Sequence, residues 1–180
     1  MIGLDNLFYQ DVSSKPGIYI WTVQTNEGCL VDYIGETGKP MLERSIEHLL
    51  DQYNGRYNIF DPKKLKEGKR EHIWEGYHWR KKERPEKIKL FYKDFEKYAE
   101  AIVDTFKDCQ IFMAAFTAKA RIRKRIESAI IKNIASKKDF SSSLQNPPQR
   151  TIVRNDDEEP IQLEITTDEN ILGLDKSLEA

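Results

Sequence analysis

Cysteine is scarce in this chain. The 180 residues hold two, Cys29 and Cys109, with no CxxC spacing and no histidine at ligand spacing. That excludes a disulfide scaffold and a zinc finger. Long apolar runs are missing too: no stretch approaches the roughly 20 residues that span a bilayer. The opening MIGLDNLFYQDV lacks the basic-then-apolar order of a secretory leader. The expectation is a cytoplasmic protein with no membrane partner. Hydrophobic residues make up 39% and charged residues 33%, which implies a modest core under a heavily charged surface. The length suits one domain with appendages or two very small ones.

No sign of charge dominates the whole chain, whose formal net charge is −1, but the signs are segregated. Residues 155–180 carry nine acidic side chains and one lysine, a net of −8, which leaves +7 on residues 1–154. A basic body is what a polyanionic partner requires. It is also what a solvated charged surface looks like. The organisation read from this is a body over 1–154 and an acidic tail over 155–180.

Lys15-Pro16-Gly17 punctuates the start, and Ile18–Gln24, β-branched and aromatic, predicts a strand. Thr25-Asn26-Glu27-Gly28 is turn chemistry before a second strand, Cys29–Ile34, so the pair is an antiparallel hairpin. Gly35-Glu36-Thr37-Gly38 should end it, and Pro40 should open a helix at its first position. That helix has Leu42, Ile46, Leu49 and Leu50 on one stripe, its expected buried face. Residues 51–107 form an insertion, rich in Lys, Arg, Tyr and Trp, with one or two short helices expected, the foremost from about Lys87 to about Phe106. Cys109–Phe116 is nearly all apolar and predicts a central strand. Ala118–Ala135 predicts a helix that buries Ile122, Ile126, Ala129, Ile130 and Ile134. The fold class is α/β in the α+β sense: a small three-stranded antiparallel sheet flanked by helices, with a helical insertion and an acidic tail.

Two tripeptides end adjacent strands: Gly17-Ile18-Tyr19 and Tyr33-Ile34-Gly35. Each alone is ordinary, since Gly and Tyr are common at strand ends. Further along come Arg44 and His48 at i, i+4 on the next helix, Glu127 on the helix after the third strand, and Asn146 in the loop beyond. In this order, on these elements, the set resembles the signature of the GIY-YIG nuclease family. The resemblance covers residues 16–50 and 108–148. It implies a DNA endonuclease that uses Mg²⁺ or Mn²⁺, with the metal on Glu127, Arg44 on the scissile phosphate, a tyrosine deprotonating water, and Asn146 orienting the metal site or phosphate. The base is left open between Tyr19 and Tyr33, with Tyr19, assisted by His48, the favoured reading. One core has one active site, so double-strand cleavage would take a homodimer or two successive nicks.

The residue chemistry agrees without the name. Phosphodiester hydrolysis needs an activated water and stabilisation of charge on phosphorus. An ordinary phenol has a pKa of about 10, so a tyrosine base needs a nearby cation or second base; Lys39 and His48 are the candidates. An arginine can hold a phosphate with two parallel hydrogen bonds, and a histidine beside it can move a proton near neutral pH. A lone carboxylate suits Mg²⁺, which keeps several waters. Each position has an ordinary reading as well: edge tyrosines, a solvated helix face, a salt-bridging glutamate, a turn asparagine.

The chain departs from the family pattern in three places. The tripeptides are more widely spaced than in compact members, Glu36 stands where many relatives carry a base, and 51–107 is a large insertion. Lys39 is the expected replacement for that base. In the insertion, Lys63, Lys64, Trp74, Trp79, Arg80, Lys81 and Lys82 interleave cations with aromatics, which suits backbone phosphates plus stacking on unpaired bases. It equally suits a helical cover with packed tryptophans. His72 and His78 read as surface or packing residues. The tail is expected to be weakly structured and to compete with DNA for the basic surface, unless Ile161, Leu163 and Ile165 dock as an edge strand. The functional expectation is an endonuclease acting on double-stranded or branched DNA. The alternative is a non-cleaving nucleic-acid-binding module on the same fold.

Overall fold

The computed structural model describes residues 2–3, 11–78, 80, 82–138, 145 and 151–180. A two-residue strand β1 (Ile2–Gly3) and a 3-10 turn (Asp11–Ser14) precede β2 (Gly17–Gln24) and β3 (Cys29–Thr37). Helix α1 (Met41–Tyr53) follows. The insertion holds β4 (Ile59–Phe60), α2 (Pro62–Lys66), β5 (His72–Trp74), α3 (Arg84–Lys93) and α4 (Phe95–Lys107). Then come β6 (Cys109–Ala115), α5 (Ala120–Ala135), β7 (Gln162–Glu164) and β8 (Ser177–Glu179). Among the described residues, no helix is long and apolar enough to cross a membrane.

The main sheet is antiparallel and runs β1-β6-β2-β3, so three long strands carry a two-residue edge. β2 and the apolar β6 are therefore the two inner strands, as the composition of β6 predicts. β3 continues through Gly35 to Thr37 because β2 still offers partners there: Gly35 faces Tyr19, Glu36 faces Ile18 and Thr37 faces Gly17. Pro40 is the residue before α1 rather than its first turn, with extended backbone angles. The span expected to be helical from about Lys87 to Phe106 is made of two helices that meet at Asp94.

Strand alternation gives the sheet two unlike faces. Ile18, Ile20, Val31 and Ile34 pack with Ile130, Ile131 and Ile134 of α5. Tyr19, Trp21 and Tyr33 pack on the other side with Met41 and Ile111. Against that second face α1 turns a polar stripe: Met41, Ser45 and His48 are buried. The apolar stripe expected to be buried is only partly used, and Ile46 and Leu50 remain exposed, Leu50 at 62%. His48 is drawn in by its contact with the Tyr19 hydroxyl, and Leu42 and Leu49 pack beside Met41 on the same face.

The tail is part of the fold. β7 and β8 pair with each other, and Ile171, 5% exposed, joins the aliphatic core. Cys29 N–H donates to Asn170 O at 2.8 Å, and Leu172 N–H donates to Cys29 O at 2.9 Å, which caps one end of the β3 edge. The tail also covers the outer side of α5. Arg125, 5% exposed, donates to the Glu159 and Ala180 carbonyls, and Arg121 pairs with Glu158. The expectation of a weakly structured tail is thus corrected: its few apolar residues are spaced to reach the core, and its acids meet the bases of α5.

Candidate active site

The register that pairs Tyr19 with Gly35 and Trp21 with Tyr33 sets both tyrosines on one face. A Cβ at position 35 would overlap the Tyr19 phenol, and one at position 17 would overlap the Ala114 carbonyl of β6. Both glycines of the two tripeptides are steric requirements of this sheet.

Tyr19, 1% exposed, is the inner member of the pair. Its Oη lies 2.9 Å from His48 Nε2, and its ring stacks on Tyr33 at 6.2 Å between centroids. The Tyr33 phenol and the Arg44 guanidinium also bear on the Tyr19 hydroxyl. Arg44 is held from its other side by Glu47, with Nη1 donating to Oε2 at 2.6 Å. Tyr33 is half-buried and so is the outer phenol.

Burial raises both phenols above the ordinary tyrosine value, Tyr19 by far the more. Tyr33 adds to the rise at Tyr19, Glu127 adds at Tyr33, and Arg44 opposes both. Neither ionises at neutral pH. Burial disfavours the Arg44 charge, but Tyr19 and Glu47 outweigh it, so the group stays cationic. Burial, reinforced by the Arg44 charge, drives His48 down to about 3. The imidazole is therefore a neutral hydrogen-bonding partner, not the exposed group titrating near neutrality that the helix pattern implied.

Glu127 projects from α5 towards the β3 edge, where the Glu36 backbone N–H donates to it. Burial pushes its carboxyl up to about 7, and the Glu36 carboxylate adds to this. Glu36 itself is tied to Arg123 Nε at 2.8 Å. The Glu127 charge is felt at both phenols. Tyr19, Tyr33, Arg44, His48 and Glu127 thus converge from β2, β3, α1 and α5. Asn146 lies outside the described residues, as do Trp79 and Lys81. The preceding residue, Gln145, is bound to β3: its N–H donates to Asp32 O at 2.9 Å and its Nε2 to Asp32 Oδ2 at 2.7 Å.

Other expectations are corrected. Lys39 is not at the phenols. It runs along the outside of α1 to Glu43 at 3.0 Å and Glu47 at 2.8 Å, so Arg44 is the cation beside the tyrosines. Trp74 is not available for stacking on bases. It is buried among Ile59, Phe91 and Tyr98, and its indole N–H donates to Gly55 O at 2.8 Å. Lys64 and Arg80 are engaged by Glu67 and by Glu75 and Glu83, while Lys63 and Lys82 are exposed. The insertion's aromatics mostly build its own core, since a segment of this size needs one.

Sequence reading missed Tyr57. With Trp21, Asp32, Tyr33, His48, Gln52 and Gln145 it lines a cavity of about 30 Å³, room for water. No pattern flagged it, because it sits alone in a segment rich in aromatics. Compared with known proteins, the chain matches no family model, no curated protein and no solved structure.

Proposed function

We propose that the chain is a metal-dependent DNA endonuclease on a GIY-YIG-like core, hydrolysing phosphodiester bonds with a tyrosine-assisted water. The observation that carries this reading is the line Tyr33, Tyr19, His48, with Arg44 beside it and Glu127 at its edge. Such a line can move a proton without forming a free phenolate. As water attacks phosphorus it donates to the Tyr33 oxygen, Tyr33 to Tyr19 and Tyr19 to the neutral His48 Nε2. The line draws on the water's proton without any member keeping it, and the proton passes to a phosphate oxygen. A neutral His48 is what this requires, because a protonated ring has no site to accept. The outer Tyr33 meets the water and the buried Tyr19 relays, a division of labour that differs from Tyr19 acting alone. Arg44 is preorganised by Glu47 to hold a non-bridging phosphate oxygen.

Among the described residues no group of three or more His, Cys, Asp or Glu side chains gathers to hold a metal, so a hard cation here would rest on one carboxylate. Glu127 would anchor Mg²⁺ or Mn²⁺ through its carboxylate, leaving the remaining positions to water and phosphate oxygens. Bound there, the ion would supply positive charge to the phosphoryl oxygens. The raised Glu127 pKa suits a carboxyl that is stabilised in its charged form only when a cation arrives.

The test is incubation of the protein with supercoiled plasmid, branched DNA and RNA, in Mg²⁺ and in EDTA. The reading expects Mg²⁺-dependent cleavage of at least one DNA. Tight binding without cleavage would favour a non-cleaving module, and neither binding nor cleavage would remove nucleic acid from the account.

A further inference from the structure

His48 sits among four aromatic rings. Three belong to the sheet: Tyr33 at 4.8 Å between centroids, Tyr19 at 5.8 Å and Trp21 at 6.0 Å. The fourth is Tyr57 of the insertion, at 5.5 Å and tilted 35°. The sheet rings come with the fold, whereas Tyr57 is delivered by a separate piece of chain. We propose that the insertion acts on the candidate active site through the Tyr57 ring, a positioning residue that closes the enclosure of His48 and keeps Nε2 aimed at Tyr19. This rests on the relay reading given above.

The insertion is built to hold that ring still. Arg56 N–H donates to Asp51 O at 3.0 Å, and His78 N–H donates to Arg56 O at 2.9 Å, which fixes both backbone groups of the residue before Tyr57. Arg56 Nε donates to His78 Nδ1 at 2.9 Å and its Nη1 to Asp51 at 2.9 Å. The His78 ring also packs on Tyr57, at 5.5 Å between centroids. Trp74 ties the same turn down through Gly55 O. An anchored aromatic wall is what an enclosure needs, and a mobile one would admit water.

The groups that face His48 are Tyr19 from β2, Tyr33 from β3, Arg44 and Glu47 on its own helix, and Arg56, Tyr57 and His78 from the insertion. The cations all favour a neutral ring and Glu47 opposes them. Opening the Tyr57 side removes apolar cover from this set while leaving the charges in place, so solvation is the quantity that changes. The hydroxyl of Tyr57 is not needed for this function; the ring is.

The experiment is an NMR pH titration of the His48 ring protons in the full chain, in Tyr57→Phe and in Tyr57→Leu, with DNA cleavage followed in parallel at pH 8. In the unchanged protein His48 should stay neutral down to about pH 4 and show ring-proton contacts to Tyr57. Tyr57→Phe should match it in titration and retain most of the cleavage rate. Tyr57→Leu should move His48 upward towards the ordinary histidine value of about 6.5 and cut the rate at least ~10-fold. An unmoved His48 in a folded Tyr57→Leu variant would overturn the proposal. So would a Tyr57→Phe variant as impaired as Tyr57→Leu. If Tyr57→Leu fails to fold, the contacts in the unchanged protein decide: their absence overturns the enclosure and their presence, with an intact Tyr57→Phe, upholds it. A protein that cuts no DNA would sink the nuclease reading alone, since the titration still judges Tyr57.

Discussion

The two faces of the central sheet are made from the same two strands and do different work. On one, Ile18, Ile20, Val31 and Ile34 meet the isoleucines of α5, and Ile171 of the tail closes the cluster. On the other, Tyr19, Trp21 and Tyr33 surround an imidazole that lies beside an arginine. The aliphatic face has only packing to offer, so its substitutions should be felt as lost stability. The aromatic face buries phenols and an imidazole at a cost in solvation, and holds a carboxyl at its edge that would be more comfortable in water. Such costs are expected where a fold serves chemistry rather than its own stability.

The largest effect that would sharpen this contrast is on cleavage. Tyr33→Phe removes one outer hydroxyl and should slow single-turnover cleavage by roughly 10²–10⁴-fold with little change in melting temperature. Tyr19→Phe should slow it as much and also cost about 1–3 kcal/mol of stability, because His48 Nε2 loses its buried partner. Near-normal turnover in both would break the comparison by removing the aromatic face from the chemistry.

Next comes the aliphatic face. Ile134 is 0% exposed, and Ile134→Ala should cost about 2–5 kcal/mol through lost burial and the cavity left behind. Denaturant unfolding measures this. The surviving folded fraction should cut DNA at the parental rate, whereas a slowed folded fraction would show that the faces are not separable.

A smaller effect lies in the pH dependence set by Glu127. Burial holds its folded pKa at about 7, above the ordinary carboxyl value of 4.5. The protonated carboxyl is therefore the form the fold prefers. That contribution is full below pH 4.5 and is lost as pH rises to about 7, roughly 3 kcal/mol at most. In EDTA, Glu127→Gln should melt higher than the parent at pH 8 and alike at pH 4. Equal melting at both pH values would mean that the carboxyl is not held under strain. The smallest effect is at the tail. Arg121→Ala breaks a half-exposed pair with Glu158 and should cost less than about 1 kcal/mol.

The sequence makes the strands and α5 legible because β-branched runs and isoleucine spacing reflect what packs. It makes the tripeptide glycines legible as a pattern, though the reason for them, the Tyr19 phenol over Gly35 and the Ala114 carbonyl over Gly17, appears only once strands are paired. The α1 stripe misleads. Leu42, Ile46, Leu49 and Leu50 mark an apolar side, yet only Leu42 and Leu49 pack beside Met41, and His48 is drawn in by its contact with the Tyr19 hydroxyl. Composition misleads at the tail for a related reason: nine acids suggest a solvated segment, but Ile171, with Leu174 and Leu178 beside it, joins the aliphatic core, backbone bonds tie the tail to Cys29, and Arg121 meets Glu158. Tyr57 had no signal, because contact with His48 depends on how the insertion folds back.

The most direct measurement is the single-turnover rate of DNA cleavage in Mg²⁺ by Glu127→Gln at saturating protein, relative to the parent. A cation anchored on that carboxylate supplies several kcal/mol of charge stabilisation, so the account predicts a loss of about 10³-fold or more with DNA binding retained. A variant that still cuts at a tenth of the parental rate or better would contradict it.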